Sequence, residues 1–191
     1  MIVMFENEMT IREKLLRRVG LKCADFARQL SYHRALRDFK EARKLNFWIY
    51  MYNNAIKLAV LDWFHLFGSH NDDLHWKKVV SDINGFRDKL LPCLGITQDE
   101  WEEYRETIKT FRDKDVAHIE VHPVSNVPEM TVALKASDFY YKEVLIELES
   151  YSDYANWPAD LLVYHRDSLE QSKTIAEEAC NATVSLVEKV H

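Results

Sequence analysis

Apolar residues recur three and four apart along most of the chain, the spacing of helices that bury one face against neighbours. Residues 10–45 carry Leu15, Leu16, Val19, Cys23, Phe26, Ala27 and Leu30 in that pattern, with room for a bend at residues 31–33. Residues 46–67 hold the most regular stripe, Trp48, Ile49, Tyr52, Ile56, Ala59, Val60, Trp63 and Phe67, and Gly68-Ser69 stops it. A third helix, capped by Asp72 or Asp73, turns Trp76, Val79, Val80, Ile83, Phe86 and Leu90 inward before Pro92 and Gly95 close it. The next helix spans residues 98–119. It opens on Thr97-Gln98-Asp99-Glu100, where a Thr hydroxyl and a Glu carboxylate satisfy amides that a helix start leaves unbonded. Pro123, Ser125, Asn126 and Pro128 predict a loop over residues 121–135, and helices over 137–155 and 158–190 finish the chain, with Pro158 in the first turn of the last.

No internal repeat and no Pro/Gly linker interrupts this order. The expectation is an all-α fold, one domain over residues 1–191, built as an antiparallel up-and-down helical bundle with additional terminal helices. At 191 residues the chain can bury about 70% of its extended surface without a metal or disulfide, and only four Gly and four Pro suit a helical protein. Cys23, Cys93 and Cys180 are odd in number and far apart with no CxxC pair, which predicts reduced thiols and a cytoplasmic setting. The first ten residues are acidic and show no basic leader before a long apolar run. Residues 47–67 are too often interrupted, by Asn53, Asn54, Lys57, Asp62 and His65, for a membrane span.

Charge divides the chain. Residues 1–57 hold 12 Lys/Arg against 6 Asp/Glu, whereas the remainder holds 13 against 25, within a net charge of −6. A uniformly basic nucleic-acid surface is thereby excluded. A local basic strip on the first helix remains, formed by Arg12, Arg17, Arg18, Lys22, Arg28, Arg34, Arg37, Arg43 and Lys44. It either meets a phosphate backbone or an acidic partner, or pairs with acids elsewhere in the bundle, the reading we prefer.

The fourth helix carries the candidate chemistry. Its stripe runs Trp101, Tyr104, Ile108 and Phe111, and the next positions on that line are Asp115 and His118, so ionisable groups take over a line that begins as core. Within Phe111-Arg112-Asp113-Lys114-Asp115-Val116-Ala117-His118, the arginine supplies a permanently charged planar fork suited to phosphate. The histidine supplies an imidazole that exchanges a proton near neutral pH. The plain alternative is a core histidine with Arg112 in a surface ion pair. On a straight α-helix the two residues stand about 9 Å apart along the axis and about 120° apart around it. Either the helix loosens before His118, or a second copy of the motif completes the site.

This segment resembles the signature of the HEPN superfamily, in which an arginine and a polar residue precede a histidine by four to six intervening residues. Five intervene here, with Asp113 in the polar slot. Residues 47–141 further resemble the abortive-infection AbiU-type branch, through Arg112, Asp113, Lys114, Ala117 and His118, then Val127-Pro128 and Tyr140-Tyr141. The resemblance implies a metal-independent endoribonuclease of a defence or toxin–antitoxin system, with RNA as substrate and no cofactor. It implies a homodimer whose two motifs meet at one cleft, and an antitoxin or other regulatory protein as a further partner. Arg112 and His118 are then catalytic with Asp113 orienting them, Lys114 and His122 contact substrate, and the loop after His118 covers the site. Glu120 departs from the family, which commonly has a modifiable tyrosine two residues after the histidine. The alternative is accordingly a noncatalytic HEPN-like helical module that binds a partner protein or nucleotide.

Three other patterns carry candidate chemistry. His65, His70 and His75 near Asp72 and Asp73 have metal-binding side chains, but five-residue spacing puts no two on one helical face, and polar turn residues with capping aspartates are the better account. His118 and His122 are four apart, yet Glu120 is misplaced for HExxH. Tyr140, Tyr141, Tyr151 and Tyr154 are candidate base-stacking groups at a groove. No Gly-rich phosphate loop or nucleophile elbow is present.

Overall fold

The Thr10 hydroxyl accepts the Glu13 amide and so starts helix α1, Ile11–Arg37, against which the second, sixth and seventh helices pack. The computed structural model describes residues 9–39, 45–117, 126–151 and 156–186. The elements that follow α1 are α2 Asn46–Phe67, α3 Trp76–Val79, α4 Ile83–Leu94, α5 Gln98–Phe111, α6 Thr131–Leu148 and α7 Leu161–Thr183. A π-helical turn, Arg112–Ala117, extends α5. The fold is all-α, a helical bundle with no strand among the described residues.

Leu16, Val19, Cys23, Phe26, Ala27 and Leu30 of α1 are buried, as their spacing predicts. Polar contacts give the helix directions. Lys22 pairs with Asp62 at 2.9 Å and His33 Nδ1 donates to the Tyr52 carbonyl at 3.1 Å, so α1 and α2 run in opposite senses. Arg12 with Glu147 and Arg34 with Thr131 set the same opposition between α1 and α6. Arg28 with Tyr164, Ser31 with Ser168 and Asp38 with Lys173 place α7 alongside α1 in the same sense. Four members of the basic strip on α1 are thus engaged inside the bundle, Arg12 and Lys22 with acids on α6 and α2, Arg34 with Glu129 just before α6, and Arg28 with the Tyr164 hydroxyl. Arg43 and Lys44 lie outside the described residues.

Close approach matters at Gly20. A Cβ there would stand 2.2 Å from the Trp157 ring, which stacks on Tyr141 and seals α1 against the α6–α7 connection. On the other side of the core, Trp63 stacks on Phe67 and meets Trp101 and Tyr104 edge-on, fixing α5 to α2.

The structure corrects several boundaries. α1 runs straight through Ser31 to His33 and ends at Arg37. The third helix is two: Val80 is extended, and Asp82 captures the Gly85 amide to start α4 afresh. His75, not Asp72 or Asp73, caps α3 by accepting the Lys77 amide. Pro92 sits inside α4, and Gly95 takes the left-handed cap at φ 69°. Glu129 accepts the Thr131 amide, so α6 begins within the expected loop. Asp160 caps α7, leaving Pro158 outside the helix, where its carbonyl receives the Tyr141 hydroxyl. The stripe of α2 is buried only from Ala55 onward, and Phe47 and Tyr50 are 56% and 68% exposed.

Candidate functional site

Both ends of α5 are held. At the start, Thr97 and Glu100 form the expected capping box. Along the helix, Trp101, Ile108 and Phe111 are buried, and the Tyr104 hydroxyl donates to the Glu129 carbonyl at 2.8 Å while accepting the Ala133 amide at 3.0 Å. That exchange ties α5 to the start of α6. Arg105 donates to the carbonyls of Phe67 and Gly68, both at 3.2 Å, and so completes the C-terminal end of α2.

From Arg112 the backbone widens into the π-helical turn, in which hydrogen bonds reach back five residues. Such single turns are rare and gather at functional sites. The loosening foreseen as one answer to the divergence of Arg112 and His118 is therefore present through Ala117. The guanidinium of Arg112 lies over the Phe64 ring, with Cζ 3.9 Å from the ring centroid. Its Nε and Nη2 both reach Asp113 Oδ1, at 2.7 and 2.5 Å. Gly68 makes the seat possible, because a Cβ on it would fall 2.1 Å from the Phe64 ring. The Arg112 side chain retains 27% of its exposure, so solvent reaches the guanidinium.

The structure therefore brings Arg112 and Asp113 together and gives Arg112 an aromatic support that spacing alone did not disclose. Lys114 is exposed and makes no ion pair among the described residues. Val116 packs partly against the core. His118, Glu120 and His122 lie outside the described residues, as does the loop through Ser125.

The remaining candidates separate. His65 pairs with Asp72, whereas His70 stacks on His75 at 4.8 Å between ring centroids. Among the described residues no group of three His, Cys, Asp or Glu is placed to hold a metal ion. Tyr140 and Tyr141 are fully buried, their hydroxyls spent on the carbonyls of Leu74 and Pro158, so they are core groups and not stacking platforms. Tyr151 is exposed and Tyr154 lies outside the described residues. Sequence reasoning missed the gathering of Lys77, Arg87 and Arg105 beside His70 and His75, because no spacing along the chain marks residues that only the packing of α3, α4 and α5 brings together.

No helix among the described residues is long and apolar enough to cross a membrane. No protein-family model, curated protein or solved structure matches the chain.

Proposed function

We propose that the chain is a metal-independent endoribonuclease of the HEPN kind, serving a defence or toxin–antitoxin system and acting as a homodimer with one composite cleft. The observation that carries this reading is the mounting of Arg112: a guanidinium held by Asp113 and the Phe64 face, still open to solvent, on a π-helical turn that leads directly into His118. A partly exposed ion pair between neighbours is worth only about 0.2–1 kcal/mol, so a phosphate can displace Asp113 at little cost. The aromatic support meanwhile keeps the fork in place.

The chemistry needs no cofactor. A base removes the proton from a ribose 2′-hydroxyl, O2′ attacks the adjacent phosphorus, and the 5′-oxygen leaves with a proton from an acid. The products are a 2′,3′-cyclic phosphate and a 5′-hydroxyl. His118 from the two protomers supplies base and acid, and Arg112 neutralises the charge that builds on the phosphoryl oxygens. Asp113 orients Arg112, while Lys114, which is exposed, and His122 bind the backbone at the mouth.

Purified protein incubated with mixed RNAs in EDTA tests this. Cleavage ending in cyclic phosphate is expected, with a drop of about 10²- to 10⁴-fold for His118→Ala. Arg112→Ala is expected to show a comparable loss. An unchanged rate for His118→Ala sinks the assignment, and a strictly monomeric chain sinks the composite cleft. The exposed apolar residues Phe47, Tyr50 and Met51 on α2 favour a second reading, a noncatalytic module docking a partner protein or nucleotide. A stoichiometric partner on co-purification, without cleavage, selects it.

A further inference from the structure

Where α2 ends, a small cleft is lined by residues from three elements and the turn between them: His70 and His75, Lys77 of α3, Arg87 of α4, and Glu102 and Arg105 of α5. Three basic side chains, Lys77, Arg87 and Arg105, share the cleft with one carboxylate. Glu102 is already paired with Arg105 at 2.9 Å, and Arg105 is turned onto the α2 carbonyls. Lys77 and Arg87 form no ion pair among the described residues, and Lys77 lies over the Trp76 ring, 5.5 Å from its centroid. The cleft thus holds two basic side chains that no carboxylate contacts directly among the described residues.

A second observation is independent of these charges. His75 is 1% exposed and its Nδ1 accepts the Lys77 amide at 3.2 Å, so the proton of the neutral ring sits on Nε2. That buried Nε2–H makes no well-formed hydrogen bond, the Phe67 carbonyl acting on the ring only weakly. The electrostatics agree with the geometry. Burial, then His70, Arg105 and Lys77, push the His75 imidazole down to about 4, with the Phe67 carbonyl acting weakly the other way. His75 therefore stays a neutral donor at physiological pH. His70 and Lys77 are likewise shifted toward their neutral forms, first by burial and then by neighbouring cations. A metal ion is disfavoured by the same field.

We propose that this cleft binds a phosphate-class oxyanion, gripped by Lys77 and Arg87 with His70 at the mouth, and backed by Arg105 and the imidazole of His75. The enclosed space is about 20 Å³, enough for one water, so the anion sits across the opening, where Lys77 and Arg87 are free to close on it. Its source is a free phosphate or the phosphodiester of a nucleic-acid strand. Neither requires the ribonuclease reading.

Calorimetric titration with inorganic phosphate, against chloride at matched ionic strength, examines the first source. A fluorescent single-stranded oligodeoxynucleotide, which lacks the 2′-hydroxyl and resists the proposed cleavage, examines the second by anisotropy. The variant is Lys77→Gln with Arg87→Gln, two side chains outside the ion-pair network, and its thermal unfolding establishes that it folds. Lys89→Gln with Lys109→Gln removes equal charge elsewhere. Saturable binding of one phosphate per chain, weakened at least tenfold in the first double variant and not in the second, supports the site with a free anion as ligand. Loss of oligonucleotide affinity alone, with the same selectivity, supports it with a strand phosphate as ligand. The proposal is overturned if both probes fail to saturate, or if the two double variants behave alike.

Discussion

Acidification from pH 7 to pH 5 should destabilise the folded chain through its buried histidines, His165 and His75 most of all, with burial lowering His33 in the same direction. Burial, then Arg34, hold the His165 imidazole down at about 4, and burial with the cationic cleft does the same to His75, against an ordinary value of 6.5. In the unfolded chain both rings protonate as pH falls through 6.5, whereas in the folded chain they stay neutral until about 4. The unfolded state therefore binds more protons throughout that window, and stability is full above it, falls within it and levels off below it. Integrating between pH 7 and 5 gives about 2 kcal/mol per histidine, so about 4 kcal/mol together. That is a large share of the roughly 5–15 kcal/mol typical of a folded chain. Asp160 and Asp72, whose carboxyls are held below their usual range, contribute losses only at lower pH, and buried Asp62, pushed upward, offsets a little in the other direction. Urea unfolding at half-unit steps of pH reads the slope. His165→Gln, which can still accept from Arg34, should flatten the slope by about half of the two-histidine effect. A stability constant between pH 7 and 5, or a slope unchanged by His165→Gln, would refute the assignment of these rings as buried and neutral.

Two further changes examine close approaches. Gly20→Ala drives a methyl into the Trp157 ring and should cost about 1–3 kcal/mol by thermal or urea unfolding, and an unchanged midpoint would mean that Trp157 is not seated against α1. Gly68→Ala displaces the Phe64 ring and with it the support under Arg112. On the proposed ribonuclease reading it should lower RNA cleavage well beyond its effect on stability, with Phe64→Leu removing an interaction of about 0.5–2 kcal/mol by the other route. Equal losses of activity and folded fraction would reduce Phe64 to a packing residue.

Features set by neighbours along the chain were legible in the residues alone. The bounds of α2 follow from its unbroken stripe and Gly68, and the start of α5 follows from Thr97 and Glu100, because those hydrogen bonds close within one turn. Buried positions on α1 follow for the same reason. The gap between α3 and α4 was hidden, since Trp76, Val79, Phe86 and Leu90 stay in helical phase across it while Asp82 diverts the backbone locally. The π-helical turn was hidden too, because a bond reaching back five residues has no residue type that marks it. Of the candidate site, the residues Arg112 and Asp113 could be named from the motif, but the ring beneath Arg112 comes from a helix 48 positions earlier in the chain. Pairing across helices decided the rest. Arg12 of α1 found its acid, Glu147, 135 residues away, and Lys77, Arg87 and Arg105 converged on two histidines because α3, α4 and α5 meet around the turn that follows α2. Periodicity tells which face a side chain takes; only the packing of those faces tells what it meets.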